Sequence, residues 1–129
     1  MLKSLVPKSV APPFSRYAHA VEVPSGTRLL YISGQVGNTP DGKLFESEEE
    51  QHAQAWRNIM AILADAGMGA EDLIEVTVYI TSRSGVPLFR TARDKALNGR
   101  EVATTLLIVA GLAGIDWKVE ISAVAGKKD

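Results

Sequence analysis

The sequence contains no cysteine. That one absence removes disulfides, thiolate nucleophiles, cysteine-ligated zinc and iron–sulfur clusters, and it fits a reducing cytoplasm as the expected location. Neither sign of charge is in excess: 14 Lys and Arg stand against 15 Asp and Glu, for a net charge of −1. The basic residues are scattered, so no stripe forms of the kind that grips a phosphate backbone, and nucleic acid is not an expected partner. No run approaches the roughly 18–20 apolar residues needed to span a bilayer, so no membrane partner is expected either. Met1 to Pro13 carries two lysines but no long apolar stretch ending at a small-residue cleavage site, and does not read as a secretion signal. The only histidines, His19 and His52, lie far apart without ligand spacing, so no metal site is expected. Ser33 sits in SGQ rather than in a serine-hydrolase elbow, and no GK[ST] follows the glycines of 34–42; no cofactor is implied.

What is present describes one globular domain over residues 1–129, with 46% apolar and 22% charged residues. The first 13 residues hold Pro7, Pro12 and Pro13 and read as an extended N-terminal arm. Tyr17 to Val23 and Thr27 to Ser33 read as two strands of a hairpin across Pro24-Ser25-Gly26. Ser47 with Glu50 matches a capping box, and Glu48-Glu49-Glu50 suits the positive end of a helix dipole. The apolar stripe Ala53, Trp56, Ile59, Met60, Leu63 and Ala66 then predicts a helix ending at Gly67. LIEVTVYI (73–80) reads as a buried strand. A second helix runs from Gly85 to about Leu97 and ends at Asn98-Gly99. Strands follow at Ala103 to Val109 and Trp117 to Ala125. In the last of these, alternation puts Trp117, Val119, Ile121 and Ala123 on one face and Lys118, Glu120 and Ser122 on the other. The order β-β-α-β-α-β-β predicts an α+β fold with one mixed sheet and both helices on one face. Apolar residues on both faces of several strands predict that the uncovered face is buried against other subunits.

YISGQVG (31–37), ILADAGMGAEDLIEVTVYI (62–80) and WKVEISAVA (117–125), in this order, resemble the RidA/YjgF family, once called the L-PSP endoribonuclease family. The resemblance runs from about Tyr17 to Ala125. It implies a chorismate-mutase-like fold and a homotrimer with a ligand cleft at each subunit interface. It also implies hydrolysis of enamine and imine intermediates to keto acids and ammonia, without cofactor. Tyr17, Ser33 and Gly34 match residues that face the family cleft, and Glu120 matches the acidic residue that holds a water. The family's deaminases carry a carboxylate-clamping arginine on the strand that here begins at Ala103, and that position is Thr104. A neutral hydroxyl cannot supply a planar bidentate cation.

The residues themselves leave alternatives open. Glu120 is a general base for water or a surface carboxylate paired with Lys118 or a neighbouring chain. Tyr17 closes a pocket or anchors a hairpin. Thr104 and Thr105 offer hydroxyls to a ligand or serve as β-branched strand formers. Arg90 or Arg93 reaches a cleft as a replacement anion clamp; otherwise they lie on a solvated helix face, or Arg93 forms an ion pair with a neighbouring acid, Asp94 being close by. Arg16 is a lesser candidate on the same logic. The functional expectation is a trimer binding a small carbonyl or imine metabolite and hydrolysing it with a water held by Glu120. The alternative is a non-catalytic ligand-binding or protein-interaction trimer, for which Thr104 speaks. An endoribonuclease, carried by the older family name, finds no basic groove to support it.

Overall fold

Helix α1 (Glu48–Asp65) begins where its sequence says it should: Ser47 Oγ accepts from the Glu50 amide at 3.1 Å, and three glutamates fill the first turn. It ends at Gly67, which takes a left-handed φ of 70°, and Lys127 Nζ donates to the Gly67 carbonyl at 3.0 Å. Its inward face buries Ala55, Trp56, Ile59 and Leu63. Helix α2 (Gly85–Ala96) has no side-chain cap, and its exit is set by Asn98 and Gly99 at φ 51° and 76°. Neither helix is long and apolar enough to cross a membrane. The computed structural model describes residues 1–129.

Four strands form the main sheet: β3 (Arg28–Gln35), β4 (Leu73–Ile80), β5 (Ala103–Ile108) and β6 (Val119–Lys127), in the order β3-β6-β4-β5. The β4–β5 pair is parallel and the other two are antiparallel, so the sheet is mixed and the fold is α+β. Leu30, Ile32, Val76, Val78, Ile80, Val119, Ile121, Ala123 and Ala125 join the helix residues in one core. The opposite face has no cover. Tyr31 there is 75% exposed, with Leu29 exposed on the same strand and Leu107 at the far edge.

Two expectations are corrected. The hairpin across Pro24-Ser25-Gly26 does not pair: β2 (Ala20–Glu22) joins β1 (Lys3–Leu5) in a separate two-stranded sheet, while β3 pairs with β6. The reason is burial. Pairing with β6 sets Leu30 beside Ala125 and Ile32 beside Ala123 under α1, whereas β2 has no buried residue to offer. The last strand begins at Val119, not Trp117. The Lys118 amide is taken by Gln51 Oε1 at 2.8 Å, and Trp117 packs so tightly on Gly114 that a Cβ there would lie 2.5 Å from its Nε1.

Candidate functional site

The uncovered sheet face is read most simply in rows across the strands, because paired residues project to the same side. One row is Glu120, Tyr79 and Leu107; the next is Ser122, Thr77 and Thr105; the next is Tyr31, Val124, Glu75 and Ala103. Glu120 therefore stands on this face, as alternation along β6 predicts, and it forms no ion pair with Lys118 or any other residue. Tyr79 and Thr77 are not singled out by the sequence. The alternation Glu75, Thr77, Tyr79 in LIEVTVYI is the signal that could have found them.

Ser33 and Gly34 occupy a bulge. Ile32 pairs with Ala123 and Gln35 with Ile121, so both residues face Ser122 alone. Gln35 Nε2 donates to the Ser33 carbonyl at 3.1 Å and tightens the bend. Glu120 folds against Gly34, where a Cβ would lie 2.7 Å from the Glu120 carboxyl carbon and 2.8 Å from its Cγ. Only a glycine leaves room for the carboxylate in that position. Ser33, Gly34 and Glu120 thus form one group at the meeting of β3 and β6.

Tyr17, Thr104 and Thr105 form another, at the opposite edge of the sheet. The Ala18 amide donates to the Val102 carbonyl at 3.0 Å, and Ala18 bridges Ala103, which seats Tyr17 beside the start of β5. The Tyr17 hydroxyl accepts from the Phe14 amide at 3.2 Å, and its ring meets His19 edge-on at 6.0 Å between centroids. Thr105 is exposed on the uncovered face. Thr104 pairs with Val76 and so points to the helix side; its hydroxyl donates to the Val102 carbonyl at 3.0 Å. Thr104 offers no charge, and its hydroxyl is bonded to the backbone just before its own strand.

The two groups do not meet within one chain. Glu120 lies opposite Tyr79 and Tyr79 opposite Leu107, three residues beyond Thr104 on the strand after that. Two strand spacings and three residue rises separate the Glu120 and Thr104 backbones by about 14 Å. Arg90 is exposed on α2, in the helix layer, across the sheet from Glu120. Arg93 is buried rather than solvated, and it forms the expected ion pair with its neighbouring acid, Asp94. Its Nε donates to Asp94 at 3.0 Å and its Nη1 to Ser15 Oγ at 3.2 Å, while the guanidinium lies 5.3 Å from the Phe89 ring centre. Arg16 is exposed, with its Nη1 close to Gly99. No three His, Asp or Glu side chains are grouped to hold a metal ion.

The sequence model of the endoribonuclease L-PSP family matches residues 8–127. A RutC family protein of Aquifex aeolicus is 46% identical over 70 residues, and that match spans 54% of each chain. The protein HMF1 of Saccharomyces cerevisiae is 29% identical over 115 residues, 88% of this chain and 85% of its own. Among solved structures, the Rid-family protein YyfB of Yersinia pestis superposes with a TM-score of 0.88 at 26% identity, covering 96% of this chain and 97% of that one. RidA of a Psychrobacter species gives 0.72 at 27% identity, covering 95% and 98%. The fold is the chorismate-mutase-like fold of these proteins. With a matching family model over nearly its whole length, the chain belongs to the RidA/YjgF family.

Proposed function

We propose that this protein is a cytoplasmic homotrimer that hydrolyses a small imine or enamine in a cleft between subunits, with Glu120 of one copy facing Tyr17 and Thr105 of the next, Thr104 being turned toward the helices and not into the cleft. The observation that carries the reading is the separation of the two groups. Each holds residues matching the family cleft, and about 14 Å of sheet keeps them apart in one chain. Copies related by rotation would bring one edge of the sheet against another across the uncovered face, where Leu29, Tyr31 and Leu107 are exposed.

In the proposed step Glu120 holds a water and accepts its proton as the oxygen adds to the imine carbon. The C=N electron pair moves to nitrogen, which takes that proton from Glu120. Collapse of the carbinolamine then passes its hydroxyl proton through Glu120 to the nitrogen, breaks the C–N bond, releases ammonia or an amine and leaves the carbonyl product. Because Thr104 brings no cation, a substrate lacking a carboxylate suits this cleft better than an amino-acid-derived imine. Tyr17, Ser33 and the Gly34 amide orient the ligand.

Sedimentation equilibrium tests the assembly, with three times the 13.9 kDa chain mass expected. Imines generated in situ from neutral amines and from amino acids test the chemistry. The expected result is faster carbonyl release with the neutral imine, lost in Glu120→Gln and in Tyr17→Ala. Mixing these two inactive variants should restore about one quarter of the sites, since each interface then draws both intact groups at random. No release above the buffer rate for either substrate sinks hydrolysis. The second reading, a non-catalytic trimer, rests on Thr104; activity appearing only in Thr104→Arg would decide for it.

A further inference from the structure

We propose that the groove between α1 and α2 is a second binding site, for a small carboxylic acid with an apolar chain. Helix α1 supplies Ala53, Trp56, Arg57 and Met60, and α2 supplies Ala92, Lys95 and Ala96; together they enclose about 550 Å³. That volume lies within the range of small-molecule sites. The groove exists because alanine stands at 53, 92 and 96, where longer side chains would fill the gap. Its floor is apolar. Met60 is half-buried and can adjust its thioether to the outline of a flexible chain.

The charge at the rim selects the headgroup. Arg57 and Lys95 are the only charged residues lining the groove, and neither takes part in an ion pair. Arg57 Nε instead donates to the neutral Gln54 Oε1 at 2.9 Å, and its guanidinium lies 6.0 Å from the Phe45 ring centre. Two uncompensated cations over an apolar floor suit an amphipathic anion: the chain leaves water while the carboxylate stays at the mouth. The concave shape and small lining fit a small molecule rather than a peptide. The site lies in the helix layer, across the sheet from Glu120, and does not depend on the hydrolytic reading.

Octanoate is the probe, with octanol, octylammonium and acetate as controls, followed by ¹⁵N NMR of the full chain. Octanoate should saturate and shift the Trp56 indole together with the amides of Ala53, Met60, Ala92 and Ala96. Octanol should bind at least about fivefold more weakly, and acetate should leave these signals unmoved. The exposed Lys95→Glu should lower octanoate affinity about tenfold and make octylammonium the better ligand. Ala92→Leu, which fills the groove, should abolish the shifts. Failure to saturate, equal affinity for octanol and octanoate, shifts confined to the sheet face, or indifference to Lys95→Glu would each overturn the proposal.

Discussion

Gly34 and Gly37 stand three residues apart, and the structure assigns them opposite responses to the same substitution. In Gly34→Ala the new methyl would meet the Glu120 side chain, 2.7 Å from its Cδ against an ordinary carbon contact of about 3.5–4.0 Å. Glu120 is a flexible side chain reaching over the β3 bulge, so it can withdraw by about 1 Å at little cost. The unfolded chain meanwhile loses freedom worth about 0.4–1 kcal/mol when glycine becomes alanine. Net stability should change by less than about 1 kcal/mol. The carboxylate would still be misplaced, and a displacement of about 1 Å at a reacting group costs up to about 100-fold in rate. In Gly37→Ala the methyl would lie 2.6 Å from the Gln51 Cα, which is backbone within α1 and cannot withdraw. Gln51 is also fixed by its bonds to Phe45, Asp116 and Lys118, so the overpacking should cost about 1–3 kcal/mol. Urea unfolding of both variants measures the stabilities, and imine hydrolysis measures the displaced carboxylate. A Gly34→Ala protein destabilised as much as Gly37→Ala would refute this account, as would one that keeps full activity while Glu120→Gln has none.

Acid should weaken the fold through His52. Burial pushes its pKa below the ordinary value of 6.5, against the opposing pull of Glu48, whose Oε2 lies 3.4 Å from Nε2. The unfolded chain then binds a proton that the folded chain refuses, so stability is full above about pH 6.5 and falls as pH drops below it. Unfolding midpoints from pH 7 to pH 5 should decline more steeply in the wild type than in His52→Gln, and equal slopes would exclude the histidine as the cause. Arg93→Met should isolate the buried guanidinium: it leaves the partly exposed Asp94 solvated and costs about 1–3 kcal/mol in urea unfolding. Its distinguishing sign is loosening of the segment around Ser15, seen as faster amide exchange at Tyr17 and Ala18. Tyr31→Glu places a charge on the uncovered sheet face and should convert the assembly to monomers in sedimentation, with little change in helix content by circular dichroism.

The elements that the sequence disclosed are those fixed by local chemistry. Ser47, the three glutamates and Gly67 define α1 without help from the rest of the chain, and the observed bounds fall within two residues of the expected ones. The same holds for β4, whose β-branched run needs no partner to be recognised. Pairing is different. Pro24-Ser25-Gly26 is a sound turn signal, and residues 24–26 do turn, yet β2 and β3 leave the turn for different sheets. What decides between a hairpin and the β3–β6 ladder is the apolar face of a strand about 90 residues away, which no local pattern contains.

The candidate site divides along the same line. Glu120 could be placed on its face because β6 alternates strictly, buried at Val119, Ile121 and Ala123 and half-open between them. Thr104 and Thr105 could not be told apart. Both suit a strand, and β5 is an edge strand of mixed exposure whose parity is fixed only by the register Val76 to Thr104. That register turns the residue at the arginine position toward the helices and leaves Thr105 with Thr77 and Ser122 in a row of hydroxyls on the uncovered face. If a second copy covers this face, the interface presents neutral donors and acceptors where the family's deaminases bring a cation. Hydroxyls can orient a carbonyl or an imine nitrogen, but they cannot neutralise a carboxylate. In the proposed reaction, the hydroxyls of Thr105, Thr77 and Ser122 would therefore bear on which substrate is held, while the carboxylate folded against Gly34 would position the water.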